Sequence, residues 1–187
     1  MTDGILANLV NEVKDGIVAA LKGANEITAE ATQLVRNTVV NSLRASGDIS
    51  TTTVQVATDV VRGVIQGASQ TGVSLVSAAR QGVKAVIEGV SDVGGDVMEA
   101  TGDAARSAIK ETAQVGGDVA GVAVGTVEGA IEAATEIGGD VAGVTKKAVL
   151  AAVEGAESIS LETAEAVKNS LKAAISGAKE ILETPFR

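Results

Sequence analysis

Apolar and polar residues follow one another along this chain with the period of an α-helix. Gly-Gly-Asp occurs at 94–96, 116–118 and 138–140, which is a spacing of 22 residues. The same frame extends in both directions, and it divides the chain into eight repeats between short tails. These are the tail 1–5, the repeats 6–27, 28–49, 50–71, 72–93, 94–115, 116–137, 138–159 and 160–181, and the tail 182–187. Apolar positions recur about every 3.67 residues, so the pattern predicts amphipathic α-helix and no β-strand.

The apolar columns of the repeat define a stripe of aliphatic side chains on one face of the predicted helix. We call this set the aliphatic stripe and predict that it mediates self-association. Its members are Leu21, Val39, Leu43, Val61, Ile65, Val83, Ile87, Ile109, Val127, Ile131, Val149, Val153 and Ile175. Such a stripe has to be buried in water, against other helices or against lipid.

Four glycines form a ridge of small residues within the repeats. Gly117, Gly121, Gly125 and Gly129 follow one another at four-residue spacing. Residues four apart lie on the same face of a helix, and without side chains they let a second backbone come close. We therefore predict close helix packing at this glycine ridge.

Two all-α architectures fit the repeat. The first is one long amphipathic helix, or a few, assembled as a hendecad coiled-coil oligomer. It is favoured by repeats without insertions, by a stripe that keeps its phase, and by the absence of proline before Pro185. The alternative is a multi-helix hairpin bundle or solenoid with one helix in each repeat. It is favoured because Thr28, Ser50, Ser160 and several glycines, all suitable N-cap residues, begin repeats.

Composition excludes most chemistry. The chain has no His and no Cys, 24 acidic residues against 15 basic ones, and one aromatic residue among 187. Nucleophilic catalysis by a Ser-His or Cys-His pair is therefore excluded, and so are thiolate or imidazole metal sites. We predict no catalytic, cofactor-binding or metal-binding residues, no small-molecule substrate, and no nucleic-acid partner, because cationic and stacking groups are scarce.

Acidic residues are concentrated in one part of the chain. The whole net charge of -9 arises between residues 88 and 145, where Arg106 and Lys110 are the only bases. Asp96, Asp118 and Asp140 repeat on one face, but on one continuous helix they would stand about 33 Å apart. They cannot converge on one metal ion, and we interpret them as exposed acids or acids near helix N-termini.

The segment from about 90 to 160 resembles the 11-residue amphipathic repeats of synucleins. The residues that carry the resemblance are Val115-Gly116-Gly117 and Thr126-Val127-Glu128-Gly129-Ala130. Perilipins and phasins have similar Ala/Val-rich amphipathic helices. The resemblance implies a protein that coats a lipid or polymer-granule surface. The chain departs from the synuclein pattern in one respect, since Glu or Asp stands where paired lysines flank the apolar face.

These patterns favour a non-enzymatic structural protein that self-assembles as a homo-oligomer, through its Val/Ala/Ile/Gly stripe, into a helical coiled-coil or filament-like assembly, either free or associated with a membrane. The alternative is a lipid- or granule-surface coat protein, and a third hypothesis is a solenoid that serves as a binding module. We expect a cytoplasmic location, with a position peripheral to a membrane or granule under the coat hypothesis. The third hypothesis requires polar outer faces on the terminal helices, which the sequence does not make obvious.

Overall fold

The computed structural model describes residues 8–184, which contain nine α-helices and no strand. Eight of the helices follow the repeats, one helix to each, and a short helix follows them. The helices are α1 (Leu9–Ala20), α2 (Ala29–Ser46), α3 (Ile49–Thr71), α4 (Leu75–Asp92), α5 (Val97–Gln114), α6 (Val119–Glu136), α7 (Val141–Glu157), α8 (Leu161–Ala174) and α9 (Ala178–Glu183). The preferred prediction of one long helix is therefore wrong, and the alternative of many helices is confirmed at the level of fold.

Each helix packs against the next helix and against the next but one, and among the described helices contacts reach no further. This is the contact pattern of a helical solenoid, in which every unit touches only its neighbours. The odd-numbered helices α1, α3, α5 and α7 form one layer, and α2, α4, α6 and α8 form the other. The apolar core lies between the layers.

The Gly-Gly-Asp motif ends one helix and begins the next. Gly94 has a φ of +72°, and Gly116 and Gly138 have similar values. The Gly95 N–H donates to the Val90 carbonyl at 2.9 Å, while the Gly94 N–H donates to Ser91 at 3.0 Å. These two bonds form a Schellman turn, whose first glycine adopts the left-handed conformation that L-residues avoid. Glycines that were predicted as N-caps are therefore C-terminal stops.

The aspartate of each motif is the N-cap of the following helix. Asp96, Asp118 and Asp140 accept hydrogen bonds from backbone N–H groups three residues later, at 3.0, 3.0 and 2.9 Å. A carboxylate at this position also interacts favourably with the helix dipole. Thr28 and Ser160 are N-caps, as the sequence indicated. Ser50 is not an N-cap, because Asp48 caps α3 instead.

At the three Gly-Gly-Asp motifs the constant phase of the apolar pattern comes from turns of equal length, four residues each. Val93, Val115 and Ile137 are the C-cap residues at the end of three successive helices, and they lie half-buried against the core. An apolar residue of the repeat therefore occupies the turn itself. Phase continuity favours one continuous helix in the sequence, but equal four-residue turns preserve the phase equally well.

Terminal and central helices differ in how much they bury. α1 buries three residues, whereas α4 buries ten. The outer side of α1 exposes Asn11, Glu12 and Asp15, and that of α8 exposes Glu162 and Glu165. Polar outer faces of this kind are the capping that a solenoid requires at its ends.

The glycine ridge brings α6 against α4. A Cβ atom added to Gly125 would lie 2.7 Å from the Val76 carbonyl oxygen, and one added to Gly129 would overlap the Arg80 carbonyl oxygen. On α3, Gly63 and Gly67 approach α1 in the same way. Helices of one layer thus touch backbone to backbone, which a core of small aliphatic residues requires for dense packing.

We predict that Gly129→Ala lowers the free energy of unfolding by about 1–3 kcal/mol, because the new methyl group meets backbone atoms that cannot rotate away. Gly139→Ala is the control, since a Cβ atom there meets only ordinary contacts at 3.4 Å or more. Chemical denaturation followed by circular dichroism measures both variants. Equal stability of the two would show that α4 and α6 do not pack this closely.

Candidate binding face

Ion pairs connect the helices of the even layer. Arg36 on α2 binds Asp92 of α4 at 2.7 Å and Glu88 at 3.2 Å. Arg80 on α4 pairs in the same way with Glu128 and Glu132 of α6. Arg36 and Arg80 are 44 residues apart, so the structural unit is a pair of helices. Bases from the first half of the chain thereby neutralise acids of the segment that carries the net charge.

We call these ion pairs between even-numbered helices a ladder. Glu88 is the most buried acid of this ladder, with a relative exposure of 4%. Its Oε1 atom has no hydrogen-bond partner among the described residues. Burial and the adjacent Glu136 carboxyl raise the pKa of Glu88 to about 7, although Arg36 and Lys84 act in the opposite direction. The pKa of Glu136 is lowered, chiefly by its hydrogen bond from Lys84.

The odd layer has a comparable set of ion pairs, in which the contacts of Arg62 are longer than those of Arg106. Arg62 on α3 lies 3.4 Å from Glu111 of α5 and 3.8 Å from Asp59. Arg106, 44 residues after Arg62, pairs with Asp103 at 2.7 Å and with Glu154 of α7 at 2.9 Å. Arg62 therefore makes only long ion pairs, whereas Arg106 is fully engaged.

A polar cavity of about 280 Å³ lies between α3 and α5. The buried carboxylate of Glu111 forms part of its wall and accepts a hydrogen bond from the Gln66 amide at 2.8 Å. Ser107 contributes a hydroxyl that donates to the Thr58 carbonyl at 2.8 Å. The remaining lining residues are Arg62, Asp103, Arg106, Lys110 and Gln114.

Lysines that have no acidic partner among residues 8–184 stand on α5 and on the neighbouring α7, and one of them, Lys110, lines this cavity. Within residues 8–184, Lys110 on α5 and Lys146 and Lys147 on α7 make no ion pair within 4.0 Å. The side chain of Lys147 lies across Gly102 of α5, because a Cβ atom at Gly102 would meet its Cε atom. We call the surface formed by Arg62, Arg106, Lys110, Lys146 and Lys147 the odd-helix face.

The structure places the aliphatic stripe inside the chain. Twelve of its thirteen residues are buried, with exposures no higher than 6%, and Ile131 is half-buried. The stripe therefore packs against other helices of the same chain. Gly117 approaches Leu75 and Gly121 approaches Val76, so the whole glycine ridge faces α4. In this fold neither set lies on the surface where a second molecule could reach it.

Sequence reasoning did not identify the odd-helix face. The 44-residue spacing of Arg36 with Arg80, and of Arg62 with Arg106, is visible in the sequence and could have indicated the two-helix unit. Among the described residues no three acidic side chains are arranged to hold a metal ion. None of the described helices combines the length and apolarity needed to cross a membrane.

Comparison with solved structures shows a likeness to a helical repeat protein. The chain is similar to the crystal structure of the de novo designed helical repeat protein DHR7, with a TM-score of 0.56 and 17% sequence identity. The match covers 92% of this chain and 96% of that chain. No protein-family model matches the chain, and no curated protein does. The likeness shows a helical repeat fold.

We predict that Glu88→Gln flattens the pH dependence of stability. In the folded chain the pKa of Glu88 is about 7, against an ordinary value of 4.5. Protonated Glu88 therefore contributes stability that is complete below pH 4.5 and is lost as the pH rises through about 7. The glutamine amide resembles the protonated acid, so the variant gains about 1–2 kcal/mol over the wild type near pH 8.

Chemical denaturation at several pH values between about 5 and 8 measures this difference. Glu128→Gln is the control, since Glu128 belongs to the same ladder but is 39% exposed. If wild type and Glu88→Gln show the same slope with pH, Glu88 is ionised throughout this range.

Proposed function

We propose that this protein is a non-enzymatic binding scaffold that recognises an acidic partner through its odd-helix face. The observation that carries the proposal is that Lys110, Lys146 and Lys147, which make no ion pair among residues 8–184, stand on two helices, α5 and α7, that pack against each other in an acidic chain. Elsewhere in the ladders each base faces two acids, as Arg36 and Arg80 do. Bases left without partners in a folded chain are free to bind a partner's carboxylates.

The helices near the two ends of the described solenoid expose polar side chains such as Glu12 and Glu165. Terminal helices with polar outer faces do not invite end-to-end stacking of copies. The aliphatic stripe is buried in the core, so the stripe does not supply the apolar face that the coat function implied by the synuclein resemblance would use. A rigid framework that presents a fixed array of side chains fits a binding role better than a filament or a coat.

We predict that a fluorescein-labelled oligoglutamate peptide binds the protein at low salt and that anisotropy detects the binding. Changing Lys110, Lys146 and Lys147 together to Gln should weaken binding about tenfold, since each exposed pair contributes up to about 1 kcal/mol. Added salt should weaken binding of the wild type, because these charges are exposed.

The matched control changes Lys14, Lys22 and Lys179 to Gln, which removes the same charge from other surfaces. This variant should bind the peptide like the wild type. If both triple variants lose binding equally, the attraction follows net charge and the odd-helix face has no special role. Absence of binding to the wild type at low salt would refute an acidic partner.

Self-association is a second candidate function, supported by a different observation. Leu161 at the start of α8 is 81% exposed and Ile159 is 40% exposed. They lie at the junction of α7 and α8, where Ile159 also lines a shallow groove with Ala113 of α5. Sedimentation equilibrium distinguishes the candidates, since copies joined at this junction would dissociate in Leu161→Glu, whereas a monomeric scaffold would not change.

A further inference from the structure

We infer that the cavity between α3 and α5 binds an oxyanion group, a phosphate or a carboxylate, between Arg62 and Lys110. The inference deepens the proposed function, because it assigns one subsite of the odd-helix face and the chemical class of group that enters it. Only the identity of the molecule that carries the oxyanion rests on the proposed function.

The cavity is built by two helices of the same layer. Arg62 projects from α3, and Lys110 projects from the C-terminal half of α5. α3 and α5 pack directly against each other. The Ser107 hydroxyl bonds to the Thr58 carbonyl across this contact at 2.8 Å, which fixes the spacing of the two helices. The position of both cations therefore depends on rigid elements and on no loop.

Donors outnumber acceptors at this cavity. Lys110 has no ion pair among the described residues, and neither ion pair of Arg62 is shorter than 3.4 Å. On the acceptor side, both oxygens of Glu111 are engaged, one by the Gln66 amide and the other by Arg62. Asp103 is held by Arg106 at 2.7 Å. A ligand that supplies acceptors and negative charge satisfies the remaining donors, and a cation does not.

Charge and size set the class of ligand. The lining carries three bases, Arg62, Arg106 and Lys110, against two acids, Asp103 and Glu111, so its formal charge is +1 in a chain of -9. Asp59, beside Arg62, and Glu154, which pairs with Arg106, lie outside the lining and reduce the attraction for an anion, so Lys110 is the lining base that an anion would meet without a competing ion pair. The volume of about 280 Å³ is below that of pockets for drug-sized molecules. A single phosphate or carboxylate group with a short part of its carrier fits.

The test is a titration of the full chain, labelled with ¹⁵N, with inorganic phosphate and separately with sodium acetate, at constant ionic strength. Saturable shifts of backbone amide signals confined to α3 and α5 are the expected result. Lys110→Gln should weaken binding about tenfold, since it removes one charge-assisted bond from an exposed residue. Lys179→Gln is the matched control, because it removes the same charge from α9, outside both the cavity and the odd-helix face, and it should bind like the wild type.

Each outcome decides the inference. Shifts with phosphate alone assign the site to phosphate groups, and shifts with both anions assign it to oxyanions in general. Shifts that spread over many helix N-termini, or that persist unchanged in Lys110→Gln, overturn it. If neither anion binds while the oligoglutamate peptide still does, the subsite fails and the scaffold function stands. If phosphate binds and the peptide does not, the subsite stands and the acidic polypeptide partner fails.

Discussion

Each helix packs closely against the helix two positions further along the chain, and the rest of this structure depends on that contact. Gly125 and Gly129 of α6 bring its backbone against the carbonyl groups of α4, and Gly63 and Gly67 bring α3 against α1. Because residues 8–184 include no aromatic side chain to fill a wide interior, short distances between helices are the means by which Val, Ala and Ile reach native packing density. The ion-pair ladders follow from the same geometry, since side chains of next-but-one helices lie within reach of one another.

Much of the architecture could be predicted from the sequence, and the part that could not has a specific reason. The 22-residue repeat, the all-α class and the burial of the stripe followed from periodicity. The choice between one long helix and many depended on three glycines, Gly94, Gly116 and Gly138. A Gly-Gly pair is compatible with a weakened helix interior and with a Schellman turn, and the aspartate that follows is the signal that favours the turn. That aspartate was interpreted as an exposed or N-terminal acid, and only its hydrogen bonds show that it caps a helix.

The odd-helix face could not be predicted, because it depends on which bases remain without acids after folding. In the sequence, Lys110 is one of only two bases in the acidic segment, and a structure was needed to separate it from Arg106. Arg106 is engaged by Asp103 and Glu154, whereas Lys110 faces the cavity. A base and its partner can be separated by 48 residues, as in Arg106 and Glu154, and counting charges along the chain does not reveal such pairs.

Each described helix contacts only the next helix and the one after it. This limit also determines how a chain of this kind could become longer or shorter. Two consecutive helices form a unit whose arginine, N-cap and glycine positions recur after 44 residues. Duplication or deletion of one such unit would leave every remaining helix with neighbours of the same kind, while the polar faces of α1 and α8 would still close the two ends. The number of units, and with it the length of the surface that faces a partner, could therefore vary among descendants of this gene without redesign of the core.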